Sequence, residues 1–227
     1  MSASIELKDV GFRRKDGFAL RIPSLSLEAG EVVGCKGPSG SGKSTLLELF
    51  SGILVPDEGS LVVGGKDLGR ASDGERRRLR LERMGLVFQE FALLEHLSVR
   101  DNALLLWLLE PFGDLSEREQ ELERFSRRLE IDHLLDREPS ALSQGERQRV
   151  AVCRALLGNP EWILADEPTG NLDPEASRKV LELCLEEARD NGTTLVFVTH
   201  DHGLLGSFDR VLDLEDFRVS RGGRSSG

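Results

Sequence analysis

The sequence predicts an α/β fold: a mainly parallel β-sheet core interrupted by a helical insertion over residues 91–158, with the chain returning to the core afterwards. Three observations carry this. The short apolar runs Gly85–Phe88, Ile163–Ala165 and Thr193–Val198 have the composition of strands buried on both faces. The β-rich run Glu31–Cys35 passes through a glycine-rich loop into Ser44–Phe50, which has helical character, giving a strand–loop–helix unit. Between Phe91 and Pro160 the pattern is mostly helical, with no strong strand.

The remaining elements follow in order. Ser4–Val10 begins as a polar/apolar alternation and meets Gly11, and Leu20–Leu27 repeats the pattern before Gly30, so both read as strands. Glu75–Arg83 (ERRRLRLER) reads as a charged helix with Ser72 as its N-cap and Glu75 completing a capping box. Its arginines are interleaved with acids and are assigned to a solvated face, not a nucleic-acid patch. Ala103–Leu109 is the longest apolar run. It is far short of the ~20 residues that span a bilayer and is assigned to the core of the helical lobe. The tail Arg221–Gly227 (RGGRSSG) is of low complexity and is expected to be disordered.

Composition narrows the function. The 227 residues suit one large domain with a substantial core. A net charge of −10, from 30 Lys+Arg against 40 Asp+Glu, argues against a broadly basic nucleic-acid binder. The first residues, MSASIELKDV, lack the basic-then-apolar layout of a signal peptide. Cys35, Cys153 and Cys184 are odd in number and widely spaced, and are expected to be reduced thiols of a cytosolic protein. His96, His133 and His202 lack metal-ligand spacing and receive no function.

The chemistry is concentrated in a few segments. Gly37-Pro38-Ser39-Gly40-Ser41-Gly42-Lys43-Ser44-Thr45 fits G-x-x-x-x-G-K-[ST] between a strand and a helix, the context a phosphate-binding loop requires. Its glycines let successive N–H groups turn inward around phosphates, and the following helix adds its positive end. Lys43 is expected to reach the β/γ-phosphates, and Ser44 to offer a hydroxyl to Mg²⁺. The run Trp162-Ile163-Leu164-Ala165 ends in Asp166 and Glu167, which places two carboxylates at the carboxyl edge of the sheet. Asp166 is expected to position Mg²⁺, and Glu167 to orient or deprotonate the attacking water.

A third segment, Leu142-Ser143-Gln144-Gly145-Glu146-Arg147-Gln148-Arg149, resembles the LSGGQ signature of ATP-binding cassette (ABC) ATPases and stands upstream of the acid pair, where that family has it. Ser143 with Glu146 also fits a capping box, and the two uses are compatible, because an open helix start suits a γ-phosphate. Other segments fall in family order: Gln89 after Val87-Phe88 (Q-loop), Asn171-Leu172-Asp173 (D-loop) and Thr199-His200-Asp201 (H-loop). The resemblance implies a P-loop NTPase core over residues 1–90 and 159–220, with antiparallel N-terminal strands and the helical lobe inserted. It also implies a homodimer that closes on two MgATP, with Ser143, Gln144, Gly145 and Glu146 acting on the partner's nucleotide. Glu167 is then the general base, His200 a γ-phosphate contact, and Gln89 the link between metal, water and an integral membrane permease. That permease would hold the chain at the inner face of the membrane, its groove lined by Phe91, Leu93, Leu94 and Leu97.

This chain departs from the family pattern at three places. Gln144 replaces the first signature glycine, and Glu146 its final Gln. Where the family carries a base-stacking aromatic, counting from Val10 gives Arg14, with Phe12 and Phe18 as alternatives. Glu167-Pro168-Thr169-Gly170-Asn171-Leu172-Asp173 further resembles the lipoprotein-release and macrolide-efflux branch. A cell-division relative that signals through a membrane partner without transport shares that look. A P-loop kinase or GTPase is disfavoured: there is no N-K-x-D, and neither class needs the signature segment. Repair and translation ABC proteins need coiled coils or a second cassette, for which this length leaves no room.

Overall fold

The computed structural model describes residues 5–109 and 114–217. The tail expected to be disordered lies outside the described residues. In chain order the first half forms β1 (Ile5–Arg13), β2 (Ala19–Leu27), β3 (Val32–Lys36), α1 (Lys43–Phe50), β4 (Glu58–Val63), β5 (Lys66–Asp67), α2 (Asp73–Arg83) and β6 (Met84–Val87). Then come α3 (Val99–Ala103), α4 (Leu105–Leu109), α5 (Leu115–Arg128), α6 (Gln144–Leu156), β7 (Trp162–Asp166), α7 (Pro174–Asn191), β8 (Thr194–Val198) and β9 (Arg210–Asp213).

Among the described residues the strands form two sheets. One is antiparallel, in the order β2-β1-β4-β5; the other is parallel, in the order β6-β7-β8-β3-β9. In β1 the buried positions run Ile5, Leu7 and then Val10, Phe12. That one-residue slip in the period of two coincides with a register shift between Lys8 and Gly11 and with a left-handed backbone at Asp9 (φ 50°). The bulge keeps the apolar side chains on one face throughout.

The parallel strands are buried on both sides, and their residues alternate between two apolar layers. Val32, Ile163, Ala165, Leu195 and Phe197 face a layer built from α3, α5, α6 and α7. Val33, Leu164, Val196 and Val198 face α1 and the antiparallel sheet. The helical lobe therefore shares one continuous apolar layer with the core. The capping box expected for α2 forms: Glu75 N donates to Ser72 Oγ at 3.3 Å, and Ser72 N to Glu75 Oε2 at 2.8 Å. All three cysteines are free and buried, and burial pushes each thiol up to about 12, so none is a thiolate at neutral pH.

Candidate functional site

Every strand of the parallel sheet delivers residues to one cleft at its carboxyl edge. The cleft, about 890 Å³, takes Gln89 from the loop after β6, and Asp166 with Glu167 from the end of β7. Thr199 and His200 follow β8, the phosphate-loop residues follow β3, and Asp213 and Glu215 come from the end of β9. Parallel strands put these ends on one edge, and β8 lies between β7 and β3, so acid pair, histidine and glycine loop converge. The turn joining β1 to β2 closes one side with Arg14, Asp16 and Phe18.

The phosphate loop is held for anion capture. Gly42 (φ 105°) precedes α1 and carries no side-chain acceptor, so no side chain caps the amides that open the helix. Lys43 Nζ donates to Gly37 O at 2.7 Å and Pro38 O at 3.1 Å, folding over its own loop. Gly37, Pro38, Ser39, Gly40, Gly42, Ser44 and Thr45 line the cleft beside it. Ser41 does not: it is wholly buried, and its hydroxyl has no partner in the structure.

Ser44, in the first turn of α1, and the Asp166 carboxyl line the same cleft. Burial raises the Asp166 pKa, the charge of Glu167 adds to the rise, and Ser44 and Lys43 oppose it. A hard cation fits here: a hydroxyl and a buried carboxylate short of positive charge face the phosphate loop. Among the described residues no group of three or more His, Cys, Asp or Glu could hold a metal ion.

The raised pKa has a consequence for stability. A carboxyl whose folded pKa exceeds its unfolded value is penalised in its ionised form, and the penalty is complete above the folded pKa. Asp166→Asn is therefore expected to raise the nucleotide-free melting temperature at pH 7 while reducing Mg²⁺-dependent hydrolysis. Calorimetry at pH 7 checks the first half; a lower melting temperature would show that Lys43 and Ser44 outweigh burial.

Glu167 occupies the left-handed region (φ 49°), its N–H donating to Val198 O at 3.1 Å. Its Oε2 lies 3.2 Å from His200 Nδ1. A non-glycine residue in that backbone costs about 1–3 kcal/mol and persists where its surroundings impose it, here at the acid that faces the cleft.

At the base end the structure separates the candidates. Phe12 is buried in the core and does not line the cleft. Arg14 does, with its guanidinium donating to Glu48 Oε2 at 2.6 Å. Phe18 packs against the phosphate loop so closely that a Cβ on Gly42 would lie 2.7 Å from its ring.

The signature stands apart from the cleft: none of Ser143, Gln144, Gly145 or Glu146 lines it. Ser143 caps α6, with Glu146 N donating to Ser143 Oγ at 3.3 Å. In return Ser143 N and Oγ each donate to Glu146 Oε2 at 2.7 Å. Those bonds hold the Glu146 carboxyl below its usual range, the Ser143 hydroxyl contributing most. Gly145 backs onto the segment after β7, where a Cβ would sit 3.2 Å from Asn171 O. Asn171 Nδ2 reaches Gln148 Oε1 at 3.4 Å, and Asp173 caps α7 by accepting from the amides of Glu175 and Ala176.

A second concavity of about 240 Å³ opens beside Gln89, and its apolar wall is Ile53, Leu81, Leu86, Phe88, Ala92, Leu105 and Leu106. None of Phe91, Leu93, Leu94 and Leu97 lines this concavity, and Phe91 and Leu93 pack against the core layer. Ala103–Leu109 divides likewise. Ala103, Leu104 and Trp107 are buried, Leu105 and Leu106 line the groove, and Leu108 and Leu109 are exposed. Sequence reasoning missed Lys36 and Asp213, paired at 3.1 Å in the cleft wall, and Glu215 and His202, which also line the cleft.

Comparison with known proteins agrees with this geometry. Residues 20–170 match the sequence model of the ABC transporter family. The chain is 43% identical over 190 residues to the lipoprotein-releasing system ATP-binding protein LolD of Xylella fastidiosa (strain Temecula1), covering 84% of this chain and 79% of the relative. Identity to LolD of Xanthomonas oryzae pv. oryzae (strain MAFF 311018) is 43% over 195 residues, 86% of this chain and 80% of the relative. The dimeric structure of MJ0796, a bacterial ABC transporter cassette, superposes with a TM-score of 0.83 at 32% identity, covering 92% of this chain and 93% of that one. The dimeric post-hydrolysis state of MJ0796, bound to ADP and Pi, gives 0.85 at 32% identity over 98% and 99%. With the family match spanning most of the chain and every parallel strand ending at one phosphate-binding cleft, the protein belongs to the ABC transporter family, as its ATP-hydrolysing cassette.

Proposed function

We propose that this chain is the ATPase subunit of a lipoprotein-release transporter, working as a homodimer beneath a membrane permease on the cytoplasmic side. The observation that carries the catalytic part is the convergence of the phosphate loop, Asp166, Glu167, His200 and Gln89 on one cleft. ATP phosphates lie along Gly37–Thr45 with Lys43 on the β/γ-phosphates. Ser44, Gln89 and Asp166 are the residues that would hold Mg²⁺, Asp166 through water, and the ion would supply neutralisation of charge on the transferred phosphoryl. Glu167 accepts the proton of the attacking water, and His200 steadies both that carboxylate and the γ-phosphate. Ser143 and the Gly145 amide complete the partner's site, with Asn171 and Asp173 beside them at the same face.

The LolD relatives support lipoprotein release as the transported step. The apolar groove beside Gln89 supports a permease element there, since an occupant would press on the loop that carries Gln89 into the cleft. No helix among the described residues is long and apolar enough to cross a membrane, so anchoring through such a partner is the arrangement proposed. The test is reconstitution with the candidate permease in proteoliposomes loaded with a lipoprotein. ATP-dependent release to a soluble acceptor is expected, whereas turnover without release would favour a signalling role. Ile53→Asp places a charge at a groove position 43% exposed and is expected to lose the permease in a pull-down. Retention of the permease would remove the groove as its docking site.

A further inference from the structure

Arg154 lies in the last turn of α6, 8% exposed. Burial brings its guanidinium down to about 10, so it stays protonated at neutral pH. Among the described residues no carboxylate neutralises it. Its terminal nitrogens donate instead to two backbone carbonyls, Ala92 O and Phe91 O, each at 2.7 Å. Both carbonyls belong to residues in the left-handed region, φ 59° for Phe91 and 49° for Ala92. Consecutive non-glycine residues adopt that backbone where something imposes it. A buried charge with carbonyl dipoles as its partners and a strained turn fixed by a buried charge each need the other.

The turn so fixed begins at Gln89. Phe91 N donates to Phe88 O at 3.1 Å and Ala92 N to Glu90 O at 2.6 Å, so residues 88–92 form one hydrogen-bonded unit. Its upstream end is fixed on the same helix. β6 runs against α6 so closely that a Cβ on Gly85 would lie 1.9 Å from Ala155 O. Gln89 is thus flanked by two attachments to α6, the Gly85–Ala155 approach before it and the guanidinium after it. The other end of α6 is the signature, capped by Ser143.

We propose that Arg154 is a positioning residue for Gln89: its two-pronged bond to Phe91 O and Ala92 O holds the 88–92 turn so that Gln89 faces the nucleotide cleft. That orientation follows wherever the signature helix lies. The inference rests on the role given to Gln89 above. Phe88, Ala92 and Arg154 all line the groove, so an occupant of the groove presses on this clamp directly.

A double-mutant cycle tests it. Arg154→Met keeps most of the volume and loses every donor. It is expected to lower kcat for ATP about tenfold, the equivalent of one charged hydrogen bond, with KM little moved. Amides 88–92 are expected to exchange hydrogen faster while the rest of the fold keeps its protection. Gln89→Ala alone is expected to lower kcat as well, and in the double variant the two losses should not multiply, because one acts through the other. Multiplicative losses, or unchanged exchange at 88–92, would overturn the proposal. Gln89→Ala hydrolysing at the wild-type rate would instead overturn the role given to Gln89 and the catalytic half of the proposal with it, leaving exchange to judge the clamp. Should Arg154→Met fail to fold, Arg154→Lys keeps the charge with a single-pronged donor. It is expected to fall between wild type and loss in both kcat and exchange; wild-type values in both would refute the two-pronged clamp.

Discussion

Glu167→Gln is expected to bind MgATP as wild type does, yet to hydrolyse it at least about a hundredfold more slowly, the size of a lost general base. The amide keeps the shape of the carboxylate at the end of β7, and its oxygen can still accept from His200, 3.2 Å away in the parent. It does not accept a proton from water. The strained backbone at Glu167 is set by its N–H to Val198 O and by the Gly170 N–H to its own carbonyl, neither of which involves the side chain. The variant should therefore fold and melt normally. With hydrolysis blocked and binding intact, the ATP-bound dimer accumulates, so size-exclusion chromatography in MgATP should give a dimer for Glu167→Gln and mostly monomer for wild type. Undiminished single-turnover hydrolysis would remove Glu167 as the base. A monomeric variant with normal ATP affinity would separate hydrolysis from dimer closure.

What the sequence made legible was the part of the site that local chemistry dictates. A phosphate loop must follow a strand and open a helix, and an acid pair must end an apolar strand; each constraint is confined to a few neighbouring residues. The parallel sheet then brings distant strand ends together without further instruction. Less legible were features decided by long-range packing. β4, β5 and β9 are short strands with half-exposed positions, and their identity as strands depends on pairing with β1, β4 and β3 respectively. The left-handed turn at Phe91 and Ala92, residues whose side chains give no local cue to such a backbone, was not legible either. Arg154 reads in sequence as one more arginine of α6. Its partners are carbonyls some sixty residues away, |i−j| 62 and 63, and carbonyls have no sequence signature. Phe12 and Phe18 differ little as text. The bulge at Asp9 and the hairpin turn decide which one faces the core and which the phosphate loop.

Gly145→Asp is expected to abolish ATP-dependent dimerisation and steady-state hydrolysis while leaving ATP binding by the monomer intact. In the single chain Gly145 does not line the nucleotide cleft, so a carboxylate there does not meet the chain's own phosphates. In the proposed closed dimer it would meet the partner's γ-phosphate across a partly desolvated interface, where like charges cost several kcal/mol. The structure requires one control. A Cβ at this position would stand 3.2 Å from Asn171 O and 3.3 Å from the Leu172 side chain, so any side chain pushes on the neighbouring loop. Gly145→Ala carries that push without the charge. If charge is the cause, Gly145→Ala retains part of the dimerisation, and added salt partly rescues Gly145→Asp. Mixing Gly145→Asp with Lys43→Ala chains then locates the contact. Their heterodimer holds one site where an intact Lys43 faces an intact Gly145 and one damaged from both sides. Each homodimer has two sites damaged once. Differently tagged chains should therefore associate in MgATP better than either variant with itself. Turnover is a poorer readout, since two sites that fire together would both fall silent. Loss of ATP binding by a folded Gly145→Asp monomer would place the signature on its own nucleotide, and the two-chain arrangement would have to be abandoned.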